Sequence, residues 1–189
     1  IVQLLSHLAS VSDQSQIRLE QTALLGCSEK EMRAIRRARI NMIFQDPVAA
    51  FNPVKKIGNQ LQEGLDCGRE EILSQLTAVG IQDALRCFDS YPHQCSGGML
   101  QRAMIARASL GSGQLLLADE PTTALDVGTQ RYVLSLLHDF AKKNGKAVIL
   151  ITHHLPLVRH YADRVLVLKQ GVVQEQTPTS EFFEAPKSE

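Results

Sequence analysis

Leu115-Leu116-Leu117-Ala118-Asp119-Glu120 is the stretch on which the fold turns. Four apolar residues in a row, with no polar alternation, read as a strand buried on both faces. That is the habit of a parallel sheet covered by helices. The run stops on two adjacent carboxylates, and open α/β sheets bind ligands beyond the C-terminal ends of their strands. On an extended chain, neighbouring side chains diverge. One carboxylate can then face a hydrated Mg²⁺ while the other faces a water attacking a phosphate. The plain alternative is a pair of solvated acids at a strand end, and the six residues alone do not choose.

Downstream, Val133, Leu136, Leu137, Phe140 and Ala141 share one face of a helix that Asn144-Gly145 ends. Ala147 to Ile151 is a second continuous apolar strand, stopping on Thr152-His153-His154. Arg164 to Leu168 and Val172-Val173 form a hairpin across Gln170-Gly171. Upstream, Asn41 to Phe44 reads as a short buried strand stopped by Asp46-Pro47. Glu29 to Arg39 is a charged helix with Ser28 as N-cap, Gln16 to Glu20 a short strand, and residues 1–10 a helix end. From Val54 to Ala108 the pattern is helical throughout, broken by Gly58, Gly64, Gly68, Gly80 and Tyr91-Pro92. The expectation is one α/β domain with a mostly parallel sheet, into which a helical subdomain, residues 54–108, is inserted.

Lys plus Arg equal Asp plus Glu at 20 each, so nothing in the global charge points to nucleic acid and none is expected as a partner. Arg33, Arg36, Arg37 and Arg39 read as a solvated helix face. Cys27, Cys67, Cys87 and Cys95 show no CxxC pairing, which argues against zinc or a disulfide framework and suits a reducing cytoplasm. No apolar run reaches the length of a membrane helix, so a membrane role would run through a partner. The first residue is Ile1, and the sequence is expected to be incomplete at its N-terminus.

A second segment carries chemistry: Cys95-Ser96-Gly97-Gly98-Met99-Leu100-Gln101-Arg102. Ser96 caps a helix whose Leu100, Ala103, Met104 and Ala108 face inward. Two glycines at a helix start are costly for capping alone. They let a backbone or a phosphate come close to free amides. An ordinary capped helix is the plain alternative.

Together these residues resemble the ATP-binding-cassette (ABC) ATPases. Cys95 to Met99 resembles the family's signature, Leu115 to Glu120 its Walker B strand, and Ala124-Leu125-Asp126 its D-loop. Phe44-Gln45-Asp46-Pro47 resembles the Q-loop and Ile151-Thr152-His153 the switch-histidine motif. Five motifs stand in the family's order. Phe51-Asn52-Pro53, Met99, Leu24-Leu25-Gly26 with Arg36-Arg37, and Phe182 to Lys187 are similar to the peptide and nickel importer ATPases.

The resemblance implies a P-loop NTPase-like core that hydrolyses ATP with Mg²⁺ to drive import of a peptide, nickel or similar solute. It implies that Glu120 is the general base and that His153 contacts the terminal phosphate. Asp119 and Gln45 serve the metal, and Ser96, Gly97, Gly98, Gln45 and Asp126 serve the nucleotide. The implied partners are a second ATPase subunit, integral membrane permeases and, indirectly, a solute-binding protein, which places the chain on the inner face of the cell membrane. Gln45 to Pro53 and the helical stretch before Ser96 would together form the groove that receives the permease, with Phe51 as its exposed apolar contact. The departures are Cys95 in place of Leu or Phe, His154 in place of an acid, and the lack of any GxxxxGK[ST] phosphate loop (Walker A). The chain is thus expected to begin after that loop and to be inactive alone. A non-transport cassette ATPase, such as a phosphonate-breakdown accessory subunit, and a degenerate non-hydrolysing module are the rival readings. His154 reads as a surface residue and Cys95 as a small hydrophobe.

Overall fold

The computed structural model describes residues 12, 14–122, 125 and 127–185. A short antiparallel pair, β1 (Arg18–Leu19) and β2 (Thr22–Ala23), precedes helix α1 (Glu29–Ala38) and strand β3 (Ile40–Ile43). Helices α2 (Pro47–Ala50), α3 (Ile57–Gln62), α4 (Arg69–Ala78), α5 (Ala84–Asp89) and α6 (Gly97–Leu110) follow, with a 3-10 turn at Pro92–Gln94 before α6. Then come β4 (Leu115–Asp119), α7 (Val127–Asn144), β5 (Ala147–Ile151) and α8 (Leu155–Tyr161). The hairpin β6 (Arg164–Lys169)–β7 (Val172–Pro178) and α9 (Thr179–Glu184) complete the described chain.

The sheet that matters has the order β3-β4-β5, and both pairings are parallel. Ile43 lies opposite Ala118, and Ala118 opposite Leu150. The chain therefore leaves the sheet side by side at three places: Phe44-Gln45, Glu120, and Thr152-His153. β4 is the central strand and is buried from Leu115 to Ala118. Leu116 and Ala118 join the large cluster that includes α6 and α7 residues. Leu115 and Leu117 join a smaller one with Leu24, Met32, Ile35 and Ile40. Two-sided cover is therefore what its unbroken apolar run implied.

β5 departs from that reading. Val148 and Leu150 pack toward the large cluster, whereas Ala147, Ile149 and Ile151 are exposed. The cover on that second face comes from α1 and the segment around Leu24, and it reaches β3 and β4.

Local chemistry explains the other elements. Ser28 starts α1 through a reciprocal box: its Oγ accepts the Glu31 N–H at 3.3 Å, and Glu31 Oε2 accepts the Ser28 N–H at 2.7 Å. The Ser28 hydroxyl and amide hold the Glu31 carboxyl below its usual range. β3 starts at Ile40, one residue earlier than read, and Phe44 lies outside it, exposed. Asp46 and Pro47 do more than stop that strand. Asp46 Oδ1 accepts the Val48 and Ala49 amides at 2.8 and 3.1 Å, and Pro47 opens α2, where its missing N–H costs nothing. Every regular element between residues 54 and 108 is helical. At the β6–β7 turn, Gln170 and Gly171 have φ of 52° and 78°, the two positive angles of a type I′ hairpin. β7 then runs on to Pro178, well past Val173.

Candidate functional site

The C-terminal edge of the sheet assembles its chemistry from two strands. Glu120 follows β4 with a φ of 47°, a left-handed conformation that a side chain pays to adopt. Its N–H donates to the Ile151 carbonyl at 2.9 Å, extending the β4–β5 ladder by one bond. Its Oε1 lies 2.6 Å from Nδ1 of His153, which arrives from the end of β5. The Glu120 side chain is 18% exposed and that of His153 78%, so the carboxylate sits at the base of the edge and the imidazole over it. The sequence reading had Asp119 and Glu120 diverge by strand alternation. In the structure Asp119 ends β4 opposite Ile151, and Glu120 leaves the extended strand with a left-handed backbone.

Asp119 is half-buried at the strand end. Among the described residues no group of three His, Cys, Asp or Glu forms a ready metal cage. A single strand-end carboxylate still fits Mg²⁺, which keeps several waters and takes one or two carboxylates alongside substrate phosphates. Gln45 is exposed two residues past Ile43, on the same sheet edge as Glu120.

Ser96 caps α6, its Oγ accepting the Met99 N–H at 3.2 Å. A Cβ at Gly97 would meet nothing within 4 Å, and one at Gly98 would rest 3.5 Å from Leu125. Among the described residues, packing requires neither glycine. The open approach they leave suits a partner outside this chain. Near this end of α6, Gln101 Nε2 donates to the carbonyl of Pro121, in the segment after Glu120, at 2.8 Å.

Asp126 lies outside the described residues, as do Thr123 and Ala124, residues 1–10, and Pro186-Lys187. Phe51 is a correction: it is 7% exposed and belongs to the large core cluster, so it offers no surface contact. Val48, at 59%, is the large apolar side chain that this segment exposes. Cys95 packs against the same core, and burial pushes its neighbour Cys87 up to about 12, the behaviour of structural thiols. His154 is the N-cap of α8 and is exposed. Sequence reasoning missed Gln101. It shares the inward face of α6 with Leu100, Met104 and Ile105, so helical spacing marked the position as buried and the polar side chain hid it.

Known proteins bear on this geometry. The family profile described as "ABC transporter" matches residues 1–123. The dipeptide transport ATP-binding protein DppD of Bacillus subtilis is 44% identical over 187 residues, covering 95% of this chain and 56% of DppD. The oligopeptide transport ATP-binding protein OppD of Lactococcus lactis subsp. cremoris is 41% identical over 179 residues, covering 90% of this chain and 53% of OppD. The chain thus spans about half the length of the curated relatives it matches. Among solved structures, the dimeric post-hydrolysis state of the ATP-binding cassette MJ0796, bound to ADP and Pi, superimposes with a TM-score of 0.76 at 27% identity. It covers 85% of this chain and 72% of that one. The fold is thereby that of an ABC ATPase cassette. The motif order, the edge that joins Glu120 to His153, and the match over residues 1–123 lead to one assignment: the chain belongs to the ABC transporter ATP-binding family.

Proposed function

We propose that this chain is part of the ATP-binding subunit of a peptide importer, hydrolysing ATP with Mg²⁺. The observation that carries the proposal is the 2.6 Å Glu120–His153 contact at the C-terminal edge of a parallel sheet, one residue beyond Asp119. A carboxylate held against an imidazole, half-sheltered and open on one side, is placed to accept a proton from water. In this reading Glu120 is the general base, and His153 orients it and contacts the terminal phosphate. Asp119 and Gln45 would hold Mg²⁺, and the ion, when bound, would neutralise charge on the phosphate oxygens. Ser96, Gly97 and Gly98 close on the nucleotide of a second ATPase subunit, with Asp126 in the same interface. The open space at Gly97 supports that role. Among the described residues no helix is long and apolar enough to cross a membrane. In this proposal the chain is peripheral on the inner face of the membrane, held by permease subunits and served indirectly by a solute-binding protein. Residues 54–108 form the helical subdomain, and exposed Val48 beside Gln45 marks the permease-facing surface in place of Phe51. The relatives' names favour peptide over nickel and transport over other cassette ATPases.

The test is Glu120→Gln in the full-length protein. Turnover is expected to fall by about 100-fold or more while ATP still binds, because removing a general base costs on the order of 10²–10⁴. Wild-type turnover would sink the assignment. The 189-residue chain alone, which carries no GxxxxGK[ST] run, is expected to show little turnover. Val48→Asp is expected to weaken permease association and peptide uptake and to leave ATP binding intact.

A further inference from the structure

Gln101 is 1% exposed on a face of α6 otherwise filled by apolar side chains. Burying a carboxamide is costly unless it is satisfied, so its hydrogen bond is informative. That bond runs to the carbonyl of Pro121, the residue directly after Glu120, at 2.8 Å. A carbonyl only accepts, so the amide NH₂ has to face it. A second carboxamide holds the same turn from the other side: Gln130 of α7 donates to the Thr122 and Leu125 carbonyls at 3.1 and 3.2 Å. Between them the two side chains take three carbonyls of a segment that starts from a left-handed residue, Glu120 at φ 47°. A strained conformation persists only where its surroundings over-determine it, and these bonds supply that constraint.

The neighbouring side chain points the other way. Arg102 donates from Nε to the Gly98 carbonyl at 3.2 Å and from Nη1 to the Gly80 carbonyl at 3.3 Å, just beyond α4. Adjacent residues of α6 thus bind the helical layer on one side and the turn after Glu120 on the other. Both lie within the first two turns after Ser96-Gly97-Gly98.

We infer that Gln101 is a positioning residue: through its bond to the Pro121 carbonyl it sets the placement of the Glu120 carboxylate and ties it to the Ser96–Gly98 turn. The inference rests on the reading of Glu120 as the base. A shift of the glycine turn is then transmitted to the base through one buried bond, with Gln130 as the fixed anchor against which the turn pivots.

The test uses the full-length protein and three variants. Gln101→Met keeps the volume and removes the donors. Its kcat is expected to fall by about tenfold to 100-fold with the KM for ATP little changed, since a misplaced catalytic group costs on the order of 100-fold per ångström. Gln101→Glu places a carboxyl against the carbonyl. Ionised it repels, and protonated it donates, and burial raises the pKa of such a group. Its kcat, relative to that of Gln101→Met at the same pH, is expected to rise as pH falls from about 8 to about 6. Glu120→Gln is run in parallel. If Glu120→Gln is inactive and Gln101→Met has wild-type kcat, the inference fails and the reading of the base stands. If Glu120→Gln is active, the reading fails and takes the inference with it. Equal loss in the Met and Glu variants at every pH, or a circular dichroism spectrum showing that Gln101→Met no longer folds, would make Gln101 a packing residue and overturn the proposal.

Discussion

β4 and β5 are each five residues long and, Asp119 at the end of β4 apart, apolar, parallel to one another and paired along their full length. Yet Leu115 to Ala118 are buried, while Ala147, Ile149 and Ile151 stand exposed. Composition does not separate them, because Ile and Val belong in a buried strand at least as readily as Leu. Their neighbours do. β4 has β3 on one side and β5 on the other, with apolar clusters against both faces. Among the described residues β5 pairs with β4 alone, and only its Val148–Leu150 face is packed. Burial in a sheet is a property of position in the strand order, and strand order is non-local. Each strand still delivers one half of the Glu120–His153 pair, so the site joins a central strand to a partly open one.

The largest test of that difference is truncation. Leu116→Ala, in the centre of β4, is expected to cost about 2–5 kcal/mol in urea unfolding, the range for emptying a buried leucine site. Ile151→Ala, at a side chain 52% exposed, is expected to cost below about 1 kcal/mol. Similar losses at both would mean that the odd face of β5 is covered in solution.

Hydrogen exchange sharpens the comparison residue by residue. The Ala147 N–H donates to Gln114 and the Glu120 N–H to Ile151, which fixes the phase of the ladder. The amides of Ile149 and Ile151 then point toward β4, and those of Val148 and Leu150 toward the outer edge. Val148 and Leu150 are expected to exchange faster than Ile149 and faster than the amides of β4. Equal protection of the two sets would show a strand or other acceptor along that edge.

What could be read beforehand follows the same division. Local signals were legible: the Ser28 cap, the hairpin turn at Gln170-Gly171, the end of α7 at Gly145 with φ 60°, and the strand ends at Asp119 and Ile151. The placement of Asp119 and Glu120 at the C-terminal edge was legible from the apolar run that ends on them, whereas the part given to His153 came only with the resemblance to the family. The exposed face of β5, the burial of Phe51 and the Gln101–Pro121 bond were not legible. Each depends on a partner distant in sequence. Phe51 was expected at the surface because the segment beside Gln45 was read as the permease groove, whereas it belongs to the core cluster that also holds residues of α3, α5 and α6.

The two strands also end differently. β4 runs into the left-handed Glu120, whereas the residues that follow β5 have no positive φ. Glu120→Ala and Glu120→Gly both remove the contact to His153 and differ in backbone freedom. The glycine variant is expected to be the more stable by about 1 kcal/mol, because glycine adopts φ 47° without a Cβ clash. Equal midpoints would mean that the turn relaxes once the carboxylate is gone, and that the 2.6 Å contact itself sustains the conformation.

The smallest expected effect lies where β5 begins. Lys146 leads into the strand from α7, with its N–H on the Ala141 carbonyl at 3.0 Å. Its Nζ donates to the Gly111 carbonyl at 2.9 Å and lies 4.4 Å from the centroid of the Phe140 ring. Gly111 caps α6 on the way into β4, so this side chain pins the start of the open strand to the approach of the buried one. Burial holds the Lys146 ammonium below its usual pKa, which means that desolvation takes back part of what the carbonyl and the ring supply. Lys146→Met keeps the aliphatic stem and loses both polar contacts. The net cost is expected to be about 0.5–1 kcal/mol, the scale of one hydrogen bond to a charged donor plus a partly exposed cation–π contact, less desolvation. The loss should appear first as faster exchange at Ala147, whose N–H opens the β5 ladder at Gln114, and only weakly in β4. A Met variant with unchanged midpoint and unchanged Ala147 exchange would mean that the ammonium gains no more than its desolvation costs, and that strand pairing alone sets where β5 begins.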